Sequence, residues 1–164
     1  MKKIHYVFLL LGSNQGNKKK YLDYSFNIIS KKIGDIIKES SYFISEAWKM
    51  KNNSPYFWNK ILYIKTILSP MFLIQKIIEI EKLIGRKRKK KIYENRIIDI
   101  DILFYDKLII CSNKLIIPHP LLHLRKFVLE PMCEINPYKN HPVFNMNIIE
   151  LLASCSDKSY TKKL

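Results

Sequence analysis

From position 96 the chain reads Arg-Ile-Ile-Asp-Ile-Asp-Ile-Leu-Phe-Tyr, and no other segment restricts the fold as much. Successive side chains of a strand point to opposite faces. Ile98, Ile100 and Ile102 therefore form one apolar face, while Asp99 and Asp101 share the other. The isoleucine face needs a core to bury it. On the acidic face the two Cα atoms lie about 6.5 to 7 Å apart, close enough for both carboxylates to converge on one metal or bracket a pair. Two like charges at that spacing repel unless a cation sits between them; the alternative is a polar strand face open to solvent. Hard carboxylate oxygens suit Mg²⁺, which takes one or two protein carboxylates and completes its shell with water and substrate phosphates. A nucleoside triphosphate is the natural co-ligand.

The arginines point the same way. The chain carries 25 Lys but only four Arg within a net charge of +15, a skew typical of an AT-biased composition and weak evidence for a polybasic binding surface. Arg86, Arg88 and Arg96 nevertheless fall within eleven residues just ahead of the acidic strand, with Arg125 the fourth. A guanidinium fork grips phosphate oxygens bidentately where an ammonium is a point charge. Pro118-His119-Pro120 holds a further donor in an extended turn.

The remaining periodicities give an order of elements. Residues 4–11 read as a buried strand ending at Gly12. Asn17 caps a helix whose Leu22, Phe26, Ile29 and Ile33 share a face, with Gly34 as its stop. Residues 36–45 and 57–67 are β-rich, and the polar, aromatic-studded stretch 46–56 between them is too long for a tight hairpin, which makes it a candidate binding loop. Ser69-Pro70 starts a second helix over residues 70–84, closed by Gly85. After the acidic strand, 97–105, Asp106-Lys107 turns the chain back into residues 108–111. Residues 148–153 form a short helix before a polar tail. The expectation is one α+β domain over residues 1–164: a ferredoxin-like βαββαβ core with an added hairpin and short C-terminal helices, its antiparallel sheet carrying helices on its faces.

Several classes are excluded. Cys111, Cys133 and Cys155 make neither a disulfide framework nor a zinc-ligand spacing, which suits a cytoplasmic protein. No run approaches eighteen apolar residues, so no membrane partner is expected. Gly12-Ser13-Asn14-Gln15-Gly16-Asn17 is neither a P-loop nor a dinucleotide fingerprint. A basic ferredoxin-like sheet could also be an RNA-binding or nucleotide-binding module, but the aromatic Lys/Arg-Gly-Phe-type strand of RNA-recognition sheets is absent, so no nucleic acid partner is expected.

Taken together, the motifs resemble the 6-hydroxymethyl-7,8-dihydropterin pyrophosphokinase family of folate biosynthesis. The resemblance is carried by Gly12-Ser13-Asn14 with Gly16-Asn17, Tyr56-Phe57-Trp58-Asn59, Gly85-Arg86-Lys87-Arg88, Arg96 to Ile102, Pro118-His119-Pro120 and Arg125 to Leu129 with Pro131, in the family's order and spacing. It implies transfer of pyrophosphate from Mg-ATP to the pterin hydroxymethyl oxygen by a monomer whose partners are those two small molecules. Asp99 and Asp101 match the carboxylates that hold two Mg²⁺, and Arg86 and Arg96 the catalytic arginines. Glu81, Arg88, Tyr93, Ile102, His119 and Arg125 match positions around ATP; Ser45, Glu46, Trp48, Phe57, Asn59 and Phe127 match positions around the pterin. The chain departs from the family where Tyr93-Glu94-Asn95 replaces the usual Trp-Gly-Pro, where Ile92 replaces a common basic residue, and where Phe57 replaces a frequent Tyr.

Overall fold

Strand β1 (His5–Ser13) runs through the middle of an antiparallel sheet, and its apolar run is buried on both sides. Val7, Leu9 and Leu11 enter one hydrophobic cluster; Phe8 and Leu10 enter another. Each fully buried aliphatic side chain contributes about 1.5 to 3 kcal/mol, so this strand alone anchors both layers. The computed structural model describes residues 1–87 and 93–164. Among the described residues no helix is long and apolar enough to cross a membrane.

On one side β1 pairs with β4 (Phe57–Thr66) in unbroken register from His5 opposite Thr66 to Ser13 opposite Trp58. On the other it pairs with β5 (Asp99–Tyr105), so that Gly12 faces Asp99 and Leu10 faces Asp101. The helices α1 (Lys18–Lys32) and α2 (Pro70–Ile84) bury Leu22, Ile29, Leu73, Ile77 and Ile80 against the Ile98, Ile100 and Ile102 face. The helices α3 (Lys126–Ile135) and α4 (Ile148–Ser154) cover the opposite face through Val128, Leu129, Met132, Ile148 and Leu151. Strands β2 (Gly34–Glu39) and β3 (Phe43–Ser45) line up along the far edge of β4. The helix after β1 thus leads to a strand separated from β1 by β4, which is the expected ferredoxin-like split βαβ order.

Both helix stops have a steric cause. Gly85 has φ 111° and closes α2 with its N–H on the carbonyls of Glu81 and Lys82. At Gly34 a Cβ would lie 2.1 Å from the Lys65 carbonyl oxygen, so the chain enters β2 only without a side chain there.

The structure departs from the sequence expectation at three places and adds a helix, α3, at a fourth. The 36–45 run is two strands, because Ser40 breaks the ladder and mends it: its N–H donates to the Ile61 carbonyl at 2.9 Å and its Oγ accepts from the Ile61 N–H at 2.9 Å. Residues 108–111 do not return along β5. Asp106, at φ 48°, is held by His5 Nδ1 and the Tyr6 N–H, both at 2.7 Å, and the chain moves away to pair β6 (Ile110–Cys111) with β7 (Ile116–Ile117). Helix α3 runs through Pro131, kept helical by the burial of its neighbours Val128, Leu129, Met132 and Ile135. The polar tail holds a strand, β8 (Thr161–Lys163), added beside β3. Within β5 the alternation expected through Ile102 holds, then a register shift against β1 sends both Leu103 and Phe104 to the second cluster.

The second core contains a pH-sensitive element. His141 is 3% exposed, lies edge-on to Phe104, and accepts the Val143 and Phe144 N–H groups at its Nδ1. Burial, with His123 and Lys139 nearby, pushes its pKa down to about 4. The unfolded chain therefore binds a proton that the folded chain does not between pH 6.5 and 4, and the stabilisation, complete above pH 6.5, is lost as pH falls through that window. His119, also pushed down to about 4, adds to the same slope. Asp101, whose carboxyl is pushed up to about 7, titrates in the opposite sense over the same range, so the His141 contribution is read by comparison: the urea midpoint of the wild type relative to that of His141→Gln should be lower at pH 5 than at pH 7, and equal pH dependence in the two proteins would contradict this origin.

Candidate active site

At the Ser13 end of β1 the sheet face turned toward α3 forms the floor of a cleft of about 270 Å³. The floor is assembled by the same two-residue alternation on neighbouring strands. Asp99, Gly12 and Asn59 lie in cross-strand register, Asp101 and Leu10 form the adjoining row, and Ser45 pairs with Phe57 on the other side. A Cβ on Gly12 would come 3.4 Å from Asn59 Oδ1 and 3.6 Å from Phe57, so glycine leaves the middle of the floor open.

The acidic end is asymmetric. Asp99 receives Arg86 Nη1 on Oδ1 at 2.6 Å and Arg96 Nη1 on Oδ2. Burial opposes its ionisation, but the Arg96 and Arg86 charges and hydrogen bonds outweigh that and hold its carboxyl below the ordinary range. Asp101 lies in the same cleft without such a clamp: His119 Nε2 lies 4.0 Å from its Oδ2. Burial, then the Asp99 charge, push its pKa up to about 7. His119 is fixed by its N–H on the Leu103 carbonyl at 3.0 Å, and its Nδ1 accepts the Leu121 N–H at 3.1 Å. Burial and the Arg125 charge lower its pKa to about 4, so it is neutral at pH 7 with its remaining proton on Nε2, toward the cleft.

This set fits a divalent cation and a phosphate chain. Among the described residues no three His, Cys, Asp or Glu side chains form a closed metal cage, so the donors are the two strand carboxylates, the number Mg²⁺ takes from protein. The buried Nε atoms of Arg86 and Arg125 have no hydrogen-bond partner among the described residues, which leaves donors for an anion. Arg86 is fixed from behind by the buried Glu81 on the last turn of α2, through an ion pair and through the Arg86 N–H on the Glu81 carbonyl at 2.9 Å.

The other end is aromatic. Phe57 from β4, Phe127 from α3, Trp48 and Tyr93 line the cleft. The Arg125 guanidinium lies 4.6 Å from the Trp48 ring and 5.6 Å from the Phe127 ring, and Tyr93 meets Trp48 edge-on at 6.1 Å. Asn59 Nδ2 donates to Ser45 Oγ at 2.8 Å.

Twelve of the residues singled out from sequence therefore line one cavity: Ser45, Glu46, Trp48, Phe57, Asn59, Tyr93, Arg96, Asp99, Asp101, His119, Arg125 and Phe127. Arg86 reaches it through Asp99, while Glu81 is a support behind Arg86. Arg88 lies outside the described residues. Ile102 is buried and lines a second cavity of about 280 Å³ that shares Asp101, His119 and Pro120 with the first. Sequence reasoning missed that cavity's Ile74 and residues 112–116, and missed Leu10; it named Gly12 within a motif but not as a wall of the site. The alternation that exposed the acidic pair would have found Leu10 and Gly12; the loop between β6 and β7 gave no local signal.

Residues 8–137 match the family model of 7,8-dihydro-6-hydroxymethylpterin-pyrophosphokinase. The chain belongs to this family. A pyrophosphokinase of the same substrate from Aquifex aeolicus is 38% identical over 144 residues, 88% of each chain. The folic acid synthesis protein fol1 of Pneumocystis carinii is 37% identical over 87% of this chain, which spans 19% of that longer protein. In fold, a Plasmodium falciparum HPPK-DHPS crystal structure superposes with a TM-score of 0.75 at 19% identity, over 92% of this chain and 43% of that one. Family membership makes the chain a diphosphotransferase of folate synthesis.

The two carboxylates of this cleft should respond oppositely to neutralisation. In metal-free buffer at pH 8, Asp99→Asn should lower stability by on the order of 1 to 3 kcal/mol, because both guanidinium groups lose the negative charge they share and one of them faces an amide NH2 in place of an oxygen. Asp101→Asn should raise the Tm, because the folded state disfavours its charge above pH 7. Thermal denaturation with a chelator present checks both signs, and a loss of stability in Asp101→Asn would overturn the asymmetry.

Proposed function

We propose that this cleft carries out the family's transfer, moving the pyrophosphoryl group of ATP to the hydroxymethyl oxygen of 6-hydroxymethyl-7,8-dihydropterin and releasing AMP, in a monomeric cytoplasmic single-domain protein. The observation that carries this is the meeting, in one cavity, of an arginine-ringed carboxylate pair with an aromatic slot. The three free cysteines suit a reducing compartment.

The pterin stacks between Phe57 and Phe127 over the open Gly12 floor, with Trp48 and Glu46 at its rim. Asn59, turned by Ser45, presents its Oδ1 to the ring edge. The nucleotide lies toward β5. The second cavity, with Ile74, Ile100 and Ile102 as apolar walls and Ser112 and Asn113 as polar rim, has the character of a site for its flat base. Its phosphates then run past Asp101 and His119, which border both cavities, to Arg86, Arg96 and Arg125, with Arg88 placed near them by sequence and Tyr93 at the cleft wall. Asp99 and Asp101 would hold two Mg²⁺, which when bound neutralise charge along the triphosphate.

The arginines have a double duty. Without an anion Arg86 and Arg96 satisfy Asp99; phosphate oxygens compete for the same donors, and their transfer frees the Asp99 oxygens. His119 keeps its Nε2 proton and donates a hydrogen bond from it to a phosphate oxygen. In the transfer, the pterin oxygen forms a bond to the β-phosphorus as the bond from that phosphorus to the α-phosphate oxygen breaks. AMP takes that oxygen's electron pair, and the hydroxyl proton leaves to water. Asp99, held ionised, is a weak base, so positioning and fixed positive charge carry the rate.

Mixing the protein with ATP, Mg²⁺ and the hydroxymethyl pterin should produce AMP, and Arg86→Lys and Arg96→Lys should each cost about 2 to 4 kcal/mol of transition-state stabilisation despite the retained charge. No AMP from the wild type would defeat the assignment, and Lys variants equal to the wild type in kcat and KM would defeat the arginine roles.

A further inference from the structure

The family match ends at residue 137, but the chain returns from beyond it to the pterin end of the cleft. Strand β8 pairs with β3 so that Thr161 lies opposite Ser45. Immediately before it, the Tyr160 N–H donates to Glu46 Oε2 at 2.9 Å and the Tyr160 carbonyl accepts the Glu46 N–H at 3.1 Å. The Tyr160 ring lies 6.0 Å from Tyr56, at the other end of the 46–56 loop. The same tail holds the opposite wall: Asp157 Oδ2 accepts the Lys126 N–H at 3.0 Å at the start of α3, one residue before Phe127, and Thr161 Oγ1 bonds Glu130 on that helix.

We propose that the tail is a positioning element of the pterin site, tying the 46–56 loop to the α3 wall, and that the Tyr160 backbone, with Glu46 as its anchor, sets the width of the slot. This rests on the placement of the pterin given above. The Glu46 carboxylate is taken up by a backbone N–H on the tail, so it acts through the loop that carries Trp48 rather than on the ring. A fixed slot lowers the ordering cost of binding a flat ligand, and the effect falls on pterin affinity with none on the nucleotide side.

Two substitutions at one position isolate the bond. Tyr160→Ala loses the ring and keeps the N–H; Tyr160→Pro loses both, at a residue preceding an edge strand, where proline is accommodated. The pterin KM of the Pro variant should exceed that of the Ala variant by about tenfold, as for loss of one hydrogen bond to a charged group. The KM for ATP should be equal in the two and kcat should differ less than twofold, while amide exchange in residues 46–56 of the free protein should be faster with Pro. Equal pterin KM values, equal loop exchange, or parallel losses for both substrates would overturn the proposal. A wild type that makes no AMP would instead overturn the functional reading and this inference with it. Should the Pro variant fail to fold, Glu46→Ala and Glu46→Gln replace it: Gln keeps an acceptor for the Tyr160 N–H, so Ala must show the higher pterin KM, and equality again overturns the proposal.

Discussion

Two carboxylates on one face of one strand cannot both be comfortably ionised, and the site is arranged around that constraint. Arg86 from the end of α2 and Arg96 from the approach to β5 converge on Asp99, and Glu81 holds Arg86 in place from the helix. Asp101 has no comparable clamp and its pKa rises to about 7. The site is thus left with one satisfied and one under-neutralised carboxylate, together with guanidinium groups that can exchange partners. That is the charge state suited to taking up a cation and a polyphosphate together, since each relieves what the other leaves unpaired.

Precision at the acidic end depends on a neutral residue. Asn14 is 1% exposed, accepts the Arg96 N–H on Oδ1 at 2.7 Å and donates its own N–H to the Arg96 carbonyl at 3.0 Å. Its Nδ2 donates to Asn95 Oδ1 at 2.8 Å and to the Pro55 carbonyl at 3.2 Å. The end of β1 therefore fixes the segment leading into β5 and the end of the 46–56 loop, one at the acidic end of the cleft and one at the aromatic end. The Gly12-Ser13-Asn14 segment, which composition marks as an ordinary turn, works as a floor at Gly12 and a three-way bracket at Asn14.

What is legible in the sequence is whatever is encoded by short-range period. The α1 and α2 stripes, their glycine stops and the alternation of 98–102 are legible directly, because each rests on the local geometry of one element. The second cavity, the break at Ser40 and strand β8 are not. Ser40 interrupts the strand with a side-chain bond to Ile61, and β8 exists through Ser45 and Glu46, more than a hundred residues away. Neither leaves a mark on the local pattern. Helix α3 lies between these cases: its apolar positions 128, 129, 132 and 135 carry a helical period, but Pro131 within them masks it. Of the site, the motif residues are legible, Asn14 among them, but the bracket that Asn14 makes and the contact of Tyr160 are not, because their partners lie far away in the chain.

The composition takes on meaning only with these positions known. With 25 lysines and four arginines, lysine serves nearly everywhere a surface cation is needed. The lysines with ion-pair partners on α1 and α2, Lys19 and Lys76, meet carboxylates one helical turn away at 2.7 Å, contacts that any flexible cation makes. Arg86 is fixed between Glu81 and Asp99, Arg96 bonds Asp99 while its backbone is held by Asn14, and Arg125 packs on Trp48 and Phe127. Arg86 and Arg96 use a planar group with several donors, which an ammonium cannot supply, and Arg125 spans two rings at once where Lys49 reaches Trp48 alone. Scarcity of arginine in a lysine-rich chain therefore marks geometry rather than charge, and the three described arginines all lead to the same cleft.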